Sequence, residues 1–286
     1  MPDAPAAKAP MFPVGALVFT VIAVPLVATM LAVSGFLKMR VSTLGVDLGT
    51  TYSVVAFKDP NTKRITVVPA DGLPTRTTAI VPGDDERIDT RPLLTPSVVA
   101  FLDDGSVLAG QGALSYLHTS PRNTVYNAKR MIGRSLAEVR ADATLAAMPH
   151  RFGLLSSDAN VEDGRRMEQL AGFVITTEGG RKERVVSPVD VAVHVVTSMK
   201  VAVDKFLGYN IARKVVIAAP AEFNTSQRVQ TANAFKRAGF KVVAMLNEPT
   251  AAALAYGLDK QEHVHYVLVY DFGGGTLDAS LLWNYH

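Results

Sequence analysis

The 286 residues include no cysteine, which removes disulfides, thiolate metal sites and cysteine nucleophiles, and with them redox chemistry at sulfur. Charge is sparse as well: 19% of residues are charged and the net charge is only +3. So mild and evenly spread an excess builds no basic surface for a nucleic acid, and no nucleic-acid partner is expected. What the chain has in quantity is apolar side chains, 48% of the whole. A chain this long and this apolar buries a substantial core, so disorder is not the expectation.

The longest uncharged stretch comes first, with no charged residue from Ala9 to Leu37. As a helix, residues 15–37 would measure about 35 Å at 1.5 Å per residue, enough for a hydrocarbon core of roughly 30 Å. Pro25 in its middle is one that a membrane helix accommodates. The reading is a tail at 1–14 followed by a signal peptide or transmembrane anchor at 15–37 that meets a membrane. Its length favours retention, while the small residues from Ala28 to Gly35 leave cleavage open. Lys8 before it and Lys38 and Arg40 after it do not settle orientation.

Beyond Arg40, strand and helix signals alternate. Residues 41–47 and 52–57 predict strands joined by the tight turn Leu48-Gly49-Thr50-Thr51. Residues 71–96, punctuated by proline and glycine and carrying Asp84-Asp85-Glu86, predict an exposed loop. Residues 122–133 predict a strand end and a short helix, and 141–183 a small subdomain of short strands and loops. Ser187-Pro188-Val189-Asp190 places a capping serine, a first-turn proline and an acid at the third helical position, with the helix running to Leu207 before Gly208. Lys214 to Ala219 predicts a buried strand ended by Pro220. Asn224-Thr225-Ser226-Gln227 opens a second helix that closes at Gly239; its glycosylation sequon is read as a helix cap. A strand over 241–246 and a helix from Pro249 to Gly257 follow. Such alternation argues an α/β fold with a central sheet.

One device occurs twice, 224 positions apart. Val46-Asp47-Leu48-Gly49-Thr50-Thr51 and Tyr270-Asp271-Phe272-Gly273-Gly274-Gly275-Thr276 each end an apolar strand on aspartate and turn through small or hydroxyl residues. Each is followed by a second β-like run, so each is a hairpin; a Walker or Rossmann loop would lead into a helix. Turns of this kind let backbone N–H groups approach phosphate oxygens without a Cβ in the way, and threonine hydroxyls add donors. Two of them can clamp one phosphate chain, with Asp47 and Asp271 beside it and a hydrated divalent ion between like charges. Alone, a GGGT turn is as well read as a plain hairpin; the pairing points to the clamp.

The stretches Gly45 through Ser53, Asn123-Thr124-Val125-Tyr126-Asn127-Ala128-Lys129-Arg130, Pro220 through Arg228, Asn247-Glu248-Pro249-Thr250-Ala251-Ala252-Ala253 through Gly257, and Asp271 through Asp278 stand in order along the chain. Together they resemble the heat-shock 70-kilodalton family of actin-like ATPases. The resemblance implies an actin-like, ribonuclease H-like ATPase fold with duplicated lobes, the first at 41–208 with its small subdomain and the second at 209–286. The second lobe is expected to be incomplete, since the family's adenosine-binding segments lie beyond the second hairpin. Whether the chain is a natural short product or an incomplete one stays open.

The same resemblance implies ATP and magnesium as ligands. Gly49, Thr50, Thr51 and Tyr52 are then expected on the β- and γ-phosphates from the first turn, and Gly273, Gly274, Gly275 and Thr276 from the second. Asp47 and Asp271 would hold magnesium through its waters, Lys129 would orient the attacking water, and Glu248 and Asp278 would assist as carboxylates. Pro220 and Arg228 match the pair that passes the nucleotide state onward. Cochaperones or nucleotide-exchange factors are the implied partners besides ATP and ADP. With its apolar leader the chain is most similar to the microsome-associated branch, an ATPase core without a peptide-binding domain, which implies the endoplasmic reticulum. A non-catalytic module that binds family regulators is the alternative, and a sugar or acetate kinase of the same superfold is disfavoured by Lys129 and the Asn247–Ala253 stretch.

Overall fold

A computed structural model of the chain describes residues 41, 43–73, 93–155, 170–208 and 213–284, all within one compact unit, Val41–His286. The expected membrane segment at 15–37 and most of the loop read over 71–96 lie outside the described residues. Among the described residues no helix is long and apolar enough to cross a membrane.

The strands are β1 Thr43–Asp47, β2 Tyr52–Lys58, β3 Ile65–Val67, β4 Thr95–Pro96, β5 Val99–Phe101, β6 Val107–Ala109, β7 Thr124–Val125, β8 Arg151–Leu154, β9 Ala171–Thr177, β10 Lys182–Val186, β11 Lys214–Ala219, β12 Lys241–Asn247, β13 Tyr266–Phe272 and β14 Leu277–Trp283. The helices are α1 Tyr116–Thr119, α2 Leu136–Ala141, α3 Ala143–Ala146, α4 Pro188–Leu207, α5 Thr225–Arg237 and α6 Glu248–Ala255.

The main sheet has the order β12-β11-β1-β2-β3, with β4 added on β2. β1, β2 and β3 are antiparallel, whereas β1, β11 and β12 are parallel. Parallel neighbours need a long crossover; α4 lies in the connection into β11 and α5 in that into β12. This mixed α/β sheet agrees with the expected actin-like fold. β11 and β12, which follow residue 208, join the same sheet as β1, while β13 and β14 pair with each other.

Local chemistry starts and stops the helices where the sequence says. The Ser187 hydroxyl accepts the Asp190 N–H while the Asp190 carboxylate accepts the Ser187 N–H, and Gly208 ends α4 in the left-handed region at φ 70. Asn224 and Gln227 exchange the same pair of bonds at the start of α5, which gives the sequon its structural use. α4 then lays Val191, Val195, Val196, Met199 and Val203 into a core shared with Leu44 and Val46 of β1, Ile217 of β11 and Phe235 of α5.

The region read as a small subdomain of short strands and loops holds an antiparallel sheet, β10-β9-β8, but it is not polar throughout: Phe173 and Ile175 of β9 are fully buried in the main core. The alternating Phe173 and Ile175 face inward because a seven-residue strand sends every second side chain to one face. The end of the loop read over 71–96 is likewise not exposed: Leu93, Thr95 and Pro96 are buried, and β4 pairs with β2.

Candidate functional site

Each turn is made by its own residues. At Gly49 an added Cβ would stand 2.0 Å from the Tyr52 carbonyl oxygen, so the first turn closes only on glycine. The second is closed by the Gly273 N–H, which donates to the Thr276 carbonyl at 3.0 Å. Tertiary structure sets the two against each other. A Cβ on Gly274 would come within 2.8 Å of Thr51 Oγ1, and one on Gly275 within 3.0 Å of Thr50 Cγ2. Arg130 fastens this meeting, its Nη1 donating to the Gly275 carbonyl at 3.0 Å.

Charged groups gather around the turns. Lys129 comes from a single 3-10 turn, Ala128–Met131, that starts from Asn127 in the left-handed region at φ 58. Its Nζ donates to Glu248 Oε1 at 2.6 Å, with both side chains largely covered, and lies 6.0 Å from the centre of the Phe223 ring. Glu248 opens α6, where the helix dipole favours an acid. Asp47 ends β1, and its buried Oδ1 has no hydrogen-bond partner among the described residues. Burial raises the Asp47 pKa, Lys129 opposes the rise and Asp271 adds to it. Glu248 is raised in the same way, with Lys129 lowering it and Asp47 and Asp271 raising it.

Asp271 stands opposite Asp278 in the hairpin register. Asp278 lines a cleft of about 320 Å³ with Thr50, Lys129, Arg130 and Thr276. Asp47 and Asp271 line a larger one of about 500 Å³ with Ala251, Tyr256 and Val267. Glu248 walls both. Three carboxylates sharing one ammonium, one of them with an orphaned buried oxygen, leave negative charge that only protons or a further cation can balance. An all-oxygen donor set suits a hard divalent ion such as magnesium. Among the described residues no three His, Asp or Glu side chains are placed to ligate one ion together, so a cation here would be met partly through water.

Arg228 and Pro220 are also brought together. Arg228 Nη2 donates to the Pro220 carbonyl at 3.1 Å and to Asn247 Oδ1 at 2.8 Å, while Nε donates to the Phe223 carbonyl at 3.0 Å. The loop after β11 is thereby tied to the residue before Glu248. The expected site residues thus converge from β1, β2, the 128–131 turn, α6 and the second hairpin. Sequence reasoning assigned no role to Arg130, to Phe223 under Lys129, or to Ser97 behind the first turn. Arg130 and Phe223 stand inside the stretches that carry the resemblance, and Ser97 closes Thr95-Pro96-Ser97.

Among protein families, the one described as Hsp70 protein has a model that matches residues 43–283.

Proposed function

Since the chain belongs to the Hsp70 family, we propose that its two facing turns bind the phosphates of ATP and that the groups around them hydrolyse it. Hsp70 ATPase domains use ATP with magnesium and work with cochaperones and nucleotide-exchange factors, so the class of ligand follows from membership. The observation that carries the site assignment is the convergence of Thr50, Thr51, Gly274 and Gly275 beside the Lys129–Glu248 pair and the orphaned Asp47 oxygen. Asp47 and Asp271 would hold magnesium, which, when bound, neutralises charge on the phosphate oxygens.

The chain's own residues supply the remainder. Gly274 and Gly275 expose backbone N–H groups that no Cβ shields, and Thr50, Thr51 and Thr276 add hydroxyls. Lys129, held at 2.6 Å by Glu248, presents a fixed ammonium to developing negative charge, a placement worth more in a covered site than in water. Glu248, whose burial raises its pKa, is suited to accept a proton at Oε2 while Oε1 stays with Lys129. Asp271 and Asp278 bring further carboxylates to the mouth of the second turn.

The direct contact of the two turns supports a second reading, a module that binds family regulators without turnover. Titration calorimetry of the full chain with Mg-ATP separates them. Saturable binding that Asp271→Ala weakens, and single-turnover hydrolysis that Lys129→Ala slows by about a hundredfold or more, are expected of the ATPase. No binding by a folded sample refutes it in favour of the second reading. The proposal extends to the uncharged run at 15–37 as a membrane signal or anchor directing the ATPase to the endoplasmic reticulum. The finer kinship with the microsome-associated branch is supported by that run. Carbonate extraction and organelle fractionation test it; recovery in the cytosolic fraction would remove it.

A further inference from the structure

After residues 74–92 the chain returns to the first hairpin. β4 pairs with β2, Tyr52 opposite Pro96 and Ser53 opposite Thr95. The next residue, Ser97, is buried and spends both of its donors on the turn. Its backbone N–H donates to the Thr51 carbonyl at 2.9 Å, and its hydroxyl donates to the Gly49 carbonyl at 2.8 Å. Behind it, Ser53 Oγ lies 2.9 Å from Ser97 Oγ. A serine hydroxyl carries one proton, and that of Ser97 is committed to Gly49, so Ser53 is the donor in this last bond. A directed chain results, from Ser53 through Ser97 to the Gly49 carbonyl, with both serines buried.

Planarity turns this into an aiming device. In a trans peptide the C=O and N–H point opposite ways, and the described residues contain no cis peptide. The Gly49 carbonyl shares a peptide with the Thr50 N–H, and the Thr51 carbonyl shares one with the Tyr52 N–H. Holding both carbonyls on Ser97 directs the Thr50 and Tyr52 N–H groups away from it. Linked hydrogen bonds polarise one another, so the Ser53–Ser97 chain also strengthens the Thr50 N–H as a donor. Neither serine lines either cleft, so they act through the turn and not on a ligand.

We propose that Ser97, backed by Ser53, is the positioning residue of the first phosphate turn, fixing two peptide planes so that the Thr50 and Tyr52 N–H groups face phosphate. The proposal rests on the reading of that turn as a phosphate site. The test compares the full chain with Ser97→Ala, Ser97→Thr and Ser53→Ala, reading Mg-ATP affinity by calorimetry and, without ligand, amide hydrogen exchange over 49–52 against β9 and β10. Losing one buried hydrogen bond is worth about tenfold in affinity.

Ser97→Ala is therefore expected to weaken Mg-ATP by about tenfold and to speed exchange at 49–52 by a similar factor while β9 and β10 stay protected. Ser97→Thr, which keeps the hydroxyl, is expected to return both, and Ser53→Ala to move both in the same direction by a smaller factor. A folded Ser97→Ala chain with unchanged affinity and exchange overturns the proposal, as does a Thr variant no better than Ala. If the unaltered chain does not bind Mg-ATP, the phosphate reading fails on its own, and exchange at 49–52 still decides whether Ser97 orders the turn. If Ser97→Ala does not fold, Ser53→Ala, which leaves both Ser97 bonds in place, decides by the same two readouts, an unchanged result counting against the proposal.

Discussion

The hairpins β1–β2 and β13–β14 share one plan, an aspartate at or next to the end of the first strand and a glycine-bearing turn, yet they live in different surroundings. β1 has β11 on one edge and β2 on the other, and α4 covers the core they share. Leu44 is 1% exposed. Within the described residues β13 and β14 pair as strands only with each other. The cross-strand pairs Leu268–Leu281 and Phe272–Leu277 present an apolar face to solvent, with Leu281 69% and Phe272 77% exposed. The first turn is gripped from behind by Ser97; the second is gripped from in front by Arg130. A shared local plan is therefore buried in one jaw and left exposed in the other.

The strongest way to break this comparison is to truncate matched leucines. Leu44→Ala is expected to cost about 2–5 kcal/mol in urea unfolding, the range for a fully buried leucine, and Leu281→Ala less than about 0.5 kcal/mol. Equal costs would mean that the second hairpin is buried as deeply as the first.

Acid should attack the first region selectively. His150 is packed edge-on between Tyr126 and Phe173, and burial pushes its pKa from 6.5 down to about 4 against the opposing Arg122 backbone. The unfolded chain thus binds the extra proton first, so stability rises with pH across this window. The contribution is complete above pH 6.5 and is lost as pH falls from 6.5 toward 4, by up to about 3 kcal/mol. Thermal melts of His150→Gln should show a flatter dependence between those limits, and an unchanged slope would assign the acid limb to other groups.

The turns themselves give the smallest and sharpest contrast. A Cβ at Gly49 meets the Tyr52 carbonyl at 2.0 Å, whereas one at Gly273 meets the Thr276 carbonyl at 3.6 Å, an ordinary contact. Gly49→Ala is therefore expected to destabilise by about 1–3 kcal/mol and Gly273→Ala by less than about 1 kcal/mol. Similar effects at both positions would show that the two turns are equally constrained.

Much of this was legible beforehand wherever neighbours in sequence are neighbours in space. Ser187 with Asp190 and Asn224 with Gln227 are three residues apart, so the capping boxes and the helices behind them could be read directly. Both hairpins could be read because a strand, a turn and a strand are contiguous. The joining of residues beyond 208 to the first sheet was not legible, because parallel pairing brings Thr43 to Lys214 and Lys214 to Lys241, partners that no local pattern reveals. The burial of Phe173 and Ile175 was missed because their region is polar on average, and only the strand's alternation singles them out.

At the site, sequence alone determined the types of group available: two glycine-bearing turns, the carboxylates that close their strands, and a lysine in a short turn. Those are consequences of local backbone sterics and of side-chain chemistry, which a residue carries wherever it goes. Tertiary structure alone decided that Lys129 reaches Glu248 across 119 positions, that Arg130 holds Gly275 across 145, and that Ser97 stands behind Gly49. Hydrogen bonds and ion pairs act over a few ångströms, so which groups they join is settled by the packing of the core and not by spacing along the chain.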